Sequence, residues 1–253
     1  MRRWSARNER ISDKQRFNGR KQRKERIIKF SLNTKEIEIE ILDVVIAGWT
    51  GRDRATVEKH IDELEALGVR RPENVPCFYR VGRELITQND AVDVLGTNSS
   101  GEVEFFMVSD RDGLWIGIGS DHTDRKVETI DVGLSKQICP KPVGHQVWRY
   151  EDIKGHWDRL KLRSWTGSGT SRDIYQEGSV SNMLPPEELI HQYMRNKDDL
   201  PVGTLMFGGT LAVKGEIRSG DYFEVELEDP VKGRVIWHRY MIRRLPSQID
   251  QLS

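Results

Sequence analysis

Cysteine is scarce. Cys77 and Cys139 are the only two in 253 residues, and they stand in unrelated contexts. That excludes a disulfide framework, and neither thiol has a partner at metal-ligand spacing. The composition fits a reduced, cytoplasmic setting. Long apolar runs are also missing. None approaches the roughly 18 residues that a bilayer-spanning helix needs, and the N-terminal stretch lacks the apolar segment of a secretory signal. No heptad pattern or internal repeat is visible. Hydrophobic residues make up 36% of the chain, low but sufficient for a core at this length.

Net charge is absent too, with 40 basic and 40 acidic residues, but the balance is uneven. Residues 1–29 carry twelve Lys/Arg against three Asp/Glu, a balance of +9, so the remainder carries −9. The stretch RRWSARNERISDKQRFNGRKQRKERIIK has few apolar residues and no clear period. It reads as a disordered or loosely helical basic arm, followed by one domain over residues 30–253. Such an arm can touch phosphate non-specifically. The acidic body, however, argues against a nucleic-acid-binding fold, and no membrane partner is expected.

What is present is mostly strand. Alternation predicts strands near Ile27–Leu32 and Ile37–Ile46, and Val57, Ile61, Leu64 and Leu67 predict a helix stopped by Gly68. CFYRVG and DAVDVLG read as short strands. GEVEFFMVSDRDGLWIGIGSDHTDR reads as a hairpin, with two apolar strands flanking Ser109–Gly113, where an Asp-Gly step signals the turn. KGHWDRLKLRSWTGS reads as strand-like. PPEELIHQYMRN reads as a short helix opened by prolines. Three or four glycine-punctuated strands close the chain. The fold class that follows is α+β, mostly β.

The hairpin carries the chemistry. Glu102 and Glu104 share one strand face because side chains alternate, and Asp121 lies just past the returning strand. Three converging carboxylates repel one another. A hard divalent cation such as Mg²⁺, Mn²⁺ or Ca²⁺ turns that repulsion into attraction. The plainer reading is an amphipathic strand whose glutamates face solvent.

The order Glu-x-Glu, strand, Asp resembles the metal-ligand order of the fumarylacetoacetate hydrolase superfamily. LPVGTLMFGGTLAVKGEIRSGDYFEVELED is similar to that family's C-terminal pattern of an apolar strand, Gly-Thr and a Gly-Asp turn. YQEGSVSNMLPPEELIHQY resembles the Gln-to-Met stretch before it, and SDHTDR stands where the family has an Asn-Asp-x-Ser-Ala-Arg-Asp segment. The resemblance spans roughly residues 40–243. It implies the family's mixed β-sandwich roll and a homodimer. It also implies Mg²⁺ or Mn²⁺ on Glu102, Glu104 and Asp121. Lys136 is matched to a lysine near the metal, with Lys141 as the competing match. Gly209 and Thr210 are matched to the Gly-Thr that lines the substrate pocket. Lys136 read by itself is equally a solvated lysine, and Gly209 a bulge residue.

The chain departs from the family pattern in the loop AGWTGRDRATVEKH, which lacks the usual early histidine; His60 falls on the helix. His122, next to Asp121, is the replacement candidate for moving protons near neutral pH; the alternative is a structural hydrogen-bonder. Arg125 is a candidate grip on a substrate carboxylate, or else a partner of Asp124 or Glu128. His145, His156, His191 and His238 show no ligand spacing and read as structural or surface residues. The function implied by the resemblance is a divalent-metal-dependent hydrolase or lyase acting on a small 2-oxo acid or 1,3-dicarbonyl carboxylate through a stabilised enolate. Hydrolysis of an amide, imide or lactone at the same site, or a non-catalytic binding protein of the same fold, are the alternatives.

Overall fold

A computed structural model describes residues 25–66 and 71–246. Most of the basic arm and Gly68 lie outside the described residues. Sixteen strands and four α-helices follow in order: β1 (Ile27–Leu32), β2 (Lys35–Glu40), β3 (Asp43–Gly48), α1 (Arg54–Ala66), β4 (Cys77–Val81), β5 (Ile86–Thr87), β6 (Ala91–Leu95), β7 (Ser99–Ser100), β8 (Val103–Asp110), β9 (Gly113–Ser120), β10 (Thr123–Asp124), α2 (Arg125–Glu128), α3 (Val132–Gln137), β11 (Lys141–Arg149), β12 (Lys161–Gly167), β13 (Asp173–Ser179), α4 (Pro186–Tyr193), β14 (Thr204–Thr210), β15 (Tyr222–Asp229) and β16 (Arg234–Leu245). No helix among the described residues is long and apolar enough to cross a membrane.

Nine strands form a mixed sheet in the order β2-β1-β11-β9-β8-β14-β3-β4, with β5 added beside β11. Five form a second sheet, β13-β12-β15-β16-β6. β8 explains how they stack. Its side chains alternate between two apolar environments, so both faces are buried. Val103, Phe105 and Met107 join the core between the sheets, with Phe223, Val225 and Leu227 of β15. Phe106 and Val108 join a second core on the opposite face of the large sheet, with Phe30, Ile46 and Phe207. There the rings of Phe30 and Phe106 lie 5.7 Å apart.

The β8–β9 hairpin forms as the Asp-Gly signal predicts, pairing Asp110 with Gly113. Other expectations need correction. Ile37–Ile46 is not one strand; it divides into β2 and β3 around Ile41 and Leu42. The first half of KGHWDRLKL is a 3₁₀ turn over Lys154–Arg159, because Trp157 turns inward and packs edge-on against Phe105. The C-terminal segment has three strands, within the expected three or four. The short helices α2 and α3, started by Asp124 and Asp131 side chains that accept backbone N–H groups, were not visible as periodic patterns. The expected boundary at residue 29/30 falls inside β1, where Ile28 and Phe30 are both buried.

Candidate metal centre

Strand register builds the site. β8 and β9 pair Val103 with Ser120 and Glu104 with Gly119. The next step brings Asp121 opposite Glu102, and the Asp121 N–H donates to the Glu102 carbonyl at 3.0 Å. Directly opposed residues share a face, so Glu102, Glu104 and Asp121 converge. One carboxylate oxygen of each lies within 4.8 Å of the other two. Glu104 and Asp121 are buried and Glu102 is largely so.

The third wall comes from β14. Phe207 pairs with Phe106, but Thr210 pairs with Glu104, so β14 holds one extra residue and bulges at Gly208–Gly209. Gly209 has φ +98°, and a Cβ there would fall 1.8 Å from Thr50 Oγ1. In this conformation its N–H donates to Glu104 Oε2 at 2.8 Å. Thr50 Oγ1 in turn donates to the Gly208 carbonyl at 2.9 Å.

Two lysines close the cluster. Lys136, on α3, contacts Asp121 Oδ2 and lies 3.6 Å from Glu102 Oε2. Lys141, at the start of β11, lies 3.1 Å from Asp121 Oδ1 and donates to the His122 carbonyl at 2.6 Å. Both family matches for the lysine therefore reach the same aspartate. Burial disfavours the Lys136 ammonium, but Asp121, Glu102, Glu128 and Glu104 outweigh it and hold the group above the usual lysine range. Burial and the like charge of Lys136 push Lys141 below that range, against the pull of Asp121. Asp121 is held down at about 2, because the two lysines outweigh its burial. Glu104 is raised well above its ordinary value by burial and by the charges of Asp121 and Glu102.

The donor set suits a hard divalent cation. It is oxygen only, with no His or Cys in the cluster. Asp121 Oδ1 is buried, with the Lys141 ammonium 3.1 Å away and no well-formed hydrogen bond. Glu102, Glu104, Asp121 and Glu128 supply four carboxylates against Lys136, Lys141 and Arg125. Burial and the charges of Asp121 and Glu102 disfavour the ionised form of Glu104 in this set.

Four expected roles look different in place. His122 is fully buried, with Nδ1 2.9 Å from Tyr240 Oη and Nε2 2.9 Å from Ser99 Oγ. Burial and the Lys141 charge push its imidazolium down to about 3. The Tyr240 hydroxyl donates to Ser120 Oγ, which also accepts the Glu102 N–H. Both ring nitrogens are thus engaged in a buried hydrogen-bonded chain that runs through Tyr240 and Ser120 to the Glu102 backbone. Arg125 is spent on Glu102 at 2.9 Å, Glu128 at 3.0 Å and Ser100 at 2.7 Å. The Thr210 hydroxyl donates to the Val103 carbonyl and accepts from Gln176. The Gly209 N–H is held by Glu104. Arg125, Gly209 and Thr210 therefore all bond to the walls of the carboxylate cluster, and only the Arg125 Nη2 group is without a bond to it.

Two contributors escaped the sequence reading. Gln176 is completely buried; its Oε1 accepts the Val103 N–H at 2.9 Å and its Nε2 donates to Thr210 and to the Leu211 carbonyl. The resemblance of YQEGSVSNM to the family's Gln-to-Met stretch marked this Gln, but gave it no role. Glu128 bonds Arg125 at i,i+3 and lines an open cavity of about 830 Å³ with Arg71, Tyr79, Tyr193 and Arg195. Burial and Glu102 raise its carboxyl.

The family described as "Protein of unknown function (DUF2848)" matches residues 47–240, and the chain belongs to it. No curated protein matches the chain. Solved structures share the fold. A candidate fumarylpyruvate hydrolase from Burkholderia cenocepacia is 17% identical over 97% of this chain and 98% of that one, with a TM-score of 0.59. Yeast Ynq8, a fumarylacetoacetate hydrolase family protein, is 17% identical over 82% and 95%, with a TM-score of 0.58. A 2-keto-3-deoxy-D-arabinonate dehydratase, solved with magnesium and 2,5-dioxopentanoate, is 18% identical over 86% and 79%, with a TM-score of 0.57. The architecture is that of the fumarylacetoacetate hydrolase superfamily: mostly β, mixed and strongly curled.

Proposed function

We propose that this DUF2848 chain is a divalent-metal-dependent enzyme that acts on a small 2-oxo acid or 1,3-dicarbonyl carboxylate. The observation that carries the reading is the convergence of Glu102 with the buried Glu104 and Asp121, beside Lys136. The magnesium and 2,5-dioxopentanoate of the dehydratase relative support the substrate class.

Glu102, Glu104 and Asp121 would hold Mg²⁺ or Mn²⁺, which supplies Lewis-acid polarisation of substrate oxygens. The other steps belong to the chain. Lys136 places a fixed ammonium beside the carboxylates, where it stabilises negative charge that develops on an enolate oxygen. Gly209 and Arg125 hold Glu104 and Glu102 in position, so little reorganisation accompanies the reaction. Glu128 is the group proposed to move a proton. It lines the cavity, its carboxyl is raised, and its position next to Arg125 keeps it oriented. Cleavage of a carbon–carbon bond, decarboxylation and dehydration all pass through such an enolate. A homodimer and a cytoplasmic setting complete the proposal.

The test is turnover of acylpyruvates, oxaloacetate and 2-keto-3-deoxy sugar acids with Mg²⁺ or Mn²⁺, by wild type and Glu104→Gln. Metal-dependent turnover that is lost in Glu104→Gln supports the reading. Turnover of cyclic imides or lactones alone moves the assignment to hydrolysis at the same site. Binding of one Mn²⁺ with no turnover of any class leaves a binding protein.

A further inference from the structure

We propose a second metal site, built by Asp90, His145 and His238 and suited to a borderline transition ion such as Zn²⁺. It lies between the two sheets, on a face built by β11 and β16. A ring nitrogen of each histidine and a carboxylate oxygen of Asp90 fall within 4.8 Å of one another. They line an open cleft of about 640 Å³ that also contains Gln146 and Trp237.

His238 carries the argument. It sits on β16 at 4% exposure, and its Nε2 is buried with no hydrogen-bond partner. An imidazole nitrogen buried without a partner costs free energy unless something takes its lone pair. The Asn89 backbone lies against the ring, and metal-bound histidines commonly lean their second ring nitrogen on a neighbouring carbonyl or carboxylate.

The other two ligands come from separate segments. His145 sits in β11 between Val143 and Val147, where the pairing with β9 shifts register. That irregularity turns its ring to 5.8 Å from the His238 ring, at 74°. Asp90 precedes β6, whose parallel pairing with β16 begins at Ala91 and Met241. Asp90 and His145 are exposed, so their side chains are free to close to the roughly 3.3 Å ligand spacing of a tetrahedral ion. Two imidazoles and a carboxylate suit Zn²⁺, Co²⁺ or Ni²⁺, in contrast to the oxygen-only cluster at Glu104. Three protein ligands leave one position for water or a small anion. An ion here ties β11 of the large sheet to β16 of the smaller one.

The experiment uses the untagged full chain with saturating Mg²⁺ and titrates Co²⁺ and Zn²⁺ by absorption, calorimetry and thermal melting. The expected result is one site per chain, with the visible bands of nitrogen-ligated Co²⁺ and a melting point raised by Zn²⁺. His145→Ala and Asp90→Asn change exposed side chains and threaten folding little. Each should weaken Zn²⁺ binding by more than about 100-fold, beyond the effect of losing a supporting partner, and abolish the melting shift. Glu104→Gln and His191→Ala should keep the site. If Zn²⁺ binding is unchanged in both His145→Ala and Asp90→Asn, or if it disappears in Glu104→Gln, the proposal is overturned. The acidic centre stands or falls separately, through Mn²⁺ binding in Glu104→Gln.

Discussion

The Gly209 N–H donates to Glu104 Oε2 at 2.8 Å from a backbone with φ +98°. One bulge residue thus orients the most deeply buried carboxylate of the acidic centre, and the geometry has no room for a side chain. Gly209→Ala would drive Cβ into Thr50 Oγ1 and strain the backbone together. A loss of more than about 2 kcal/mol is expected, read by urea unfolding. Adding Thr50→Ala should recover only part of it, because the strain in φ stays. Near-normal stability of the single variant would show that β14 can reshape without cost.

Glu104→Gln should abolish the single Mn²⁺ site in calorimetry while the metal-free protein stays folded. Its pH dependence is also defined. The Glu104 carboxyl lies well above its ordinary value in the fold. Its stabilising contribution is therefore complete below about pH 4.5 and is lost as pH rises through the raised value. Metal-free wild type should lose stability over that rise, and Glu104→Gln should lose less. Parallel curves for the two proteins would contradict the burial argument.

Removing Lys136 tests the charge balance. In EDTA, Lys136→Met leaves the buried Asp121 with Lys141 alone. Breaking such a pair costs roughly 3–5 kcal/mol. Mg²⁺ should restore much of that loss, because an added cation replaces the missing charge. A variant that is as stable as wild type in EDTA, or that ignores Mg²⁺, would count against both the ion pair and the metal centre.

His122 should matter for stability and acid tolerance. Its imidazolium is pushed down to about 3 in the fold, against about 6.5 when unfolded. The neutral ring contributes fully above pH 6.5. That contribution falls as pH drops toward 3, because only the unfolded chain takes up the proton. The slope is at most about 1.4 kcal/mol per pH unit. His122→Asn should lower stability at pH 7 and flatten the slope between pH 6.5 and 4 in urea unfolding. A variant with wild-type stability and an unchanged slope would return His122 to the list of proton carriers.

Deleting residues 1–24 should leave the melting temperature and Mn²⁺ affinity unchanged, whereas deletion through residue 29 should destabilise. The second cut removes Ile28 from the core and the Arg26 carbonyl that accepts the Ile41 N–H at 2.7 Å. Equal melting temperatures for both deletions would mean that β1 adds nothing to the second core.

Much of the acidic centre was legible because it is local. Glu102, Glu104 and Asp121 lie on one hairpin, and a two-residue side-chain period plus an Asp-Gly turn sets which residues face each other. Their convergence needs only that register. The same logic reached the apolar run of β8 as a core strand, and the structure buries it on both faces. It did not reach the partners of His122. Adjacency to a ligand in sequence suggested adjacency in space, but neighbouring residues in extended chain point to opposite sides. The ring went to Tyr240, 118 positions away.

Sequence by itself determined the strand-rich class, the hairpin, the placement of three carboxylates on one face and the separation of a basic segment from an acidic body. These follow from periodicity, turn chemistry and composition, which act over a few residues. Tertiary structure decided the rest. It set which lysines neutralise Asp121 and where the Gly209 amide points. It also turned Arg125 and Thr210 into scaffold and brought His145 within reach of His238, 93 positions along the chain. Those relations depend on how two sheets stack and where bulges shift register. Sheet stacking is governed by the packing of dozens of apolar side chains, and no short stretch of sequence encodes it.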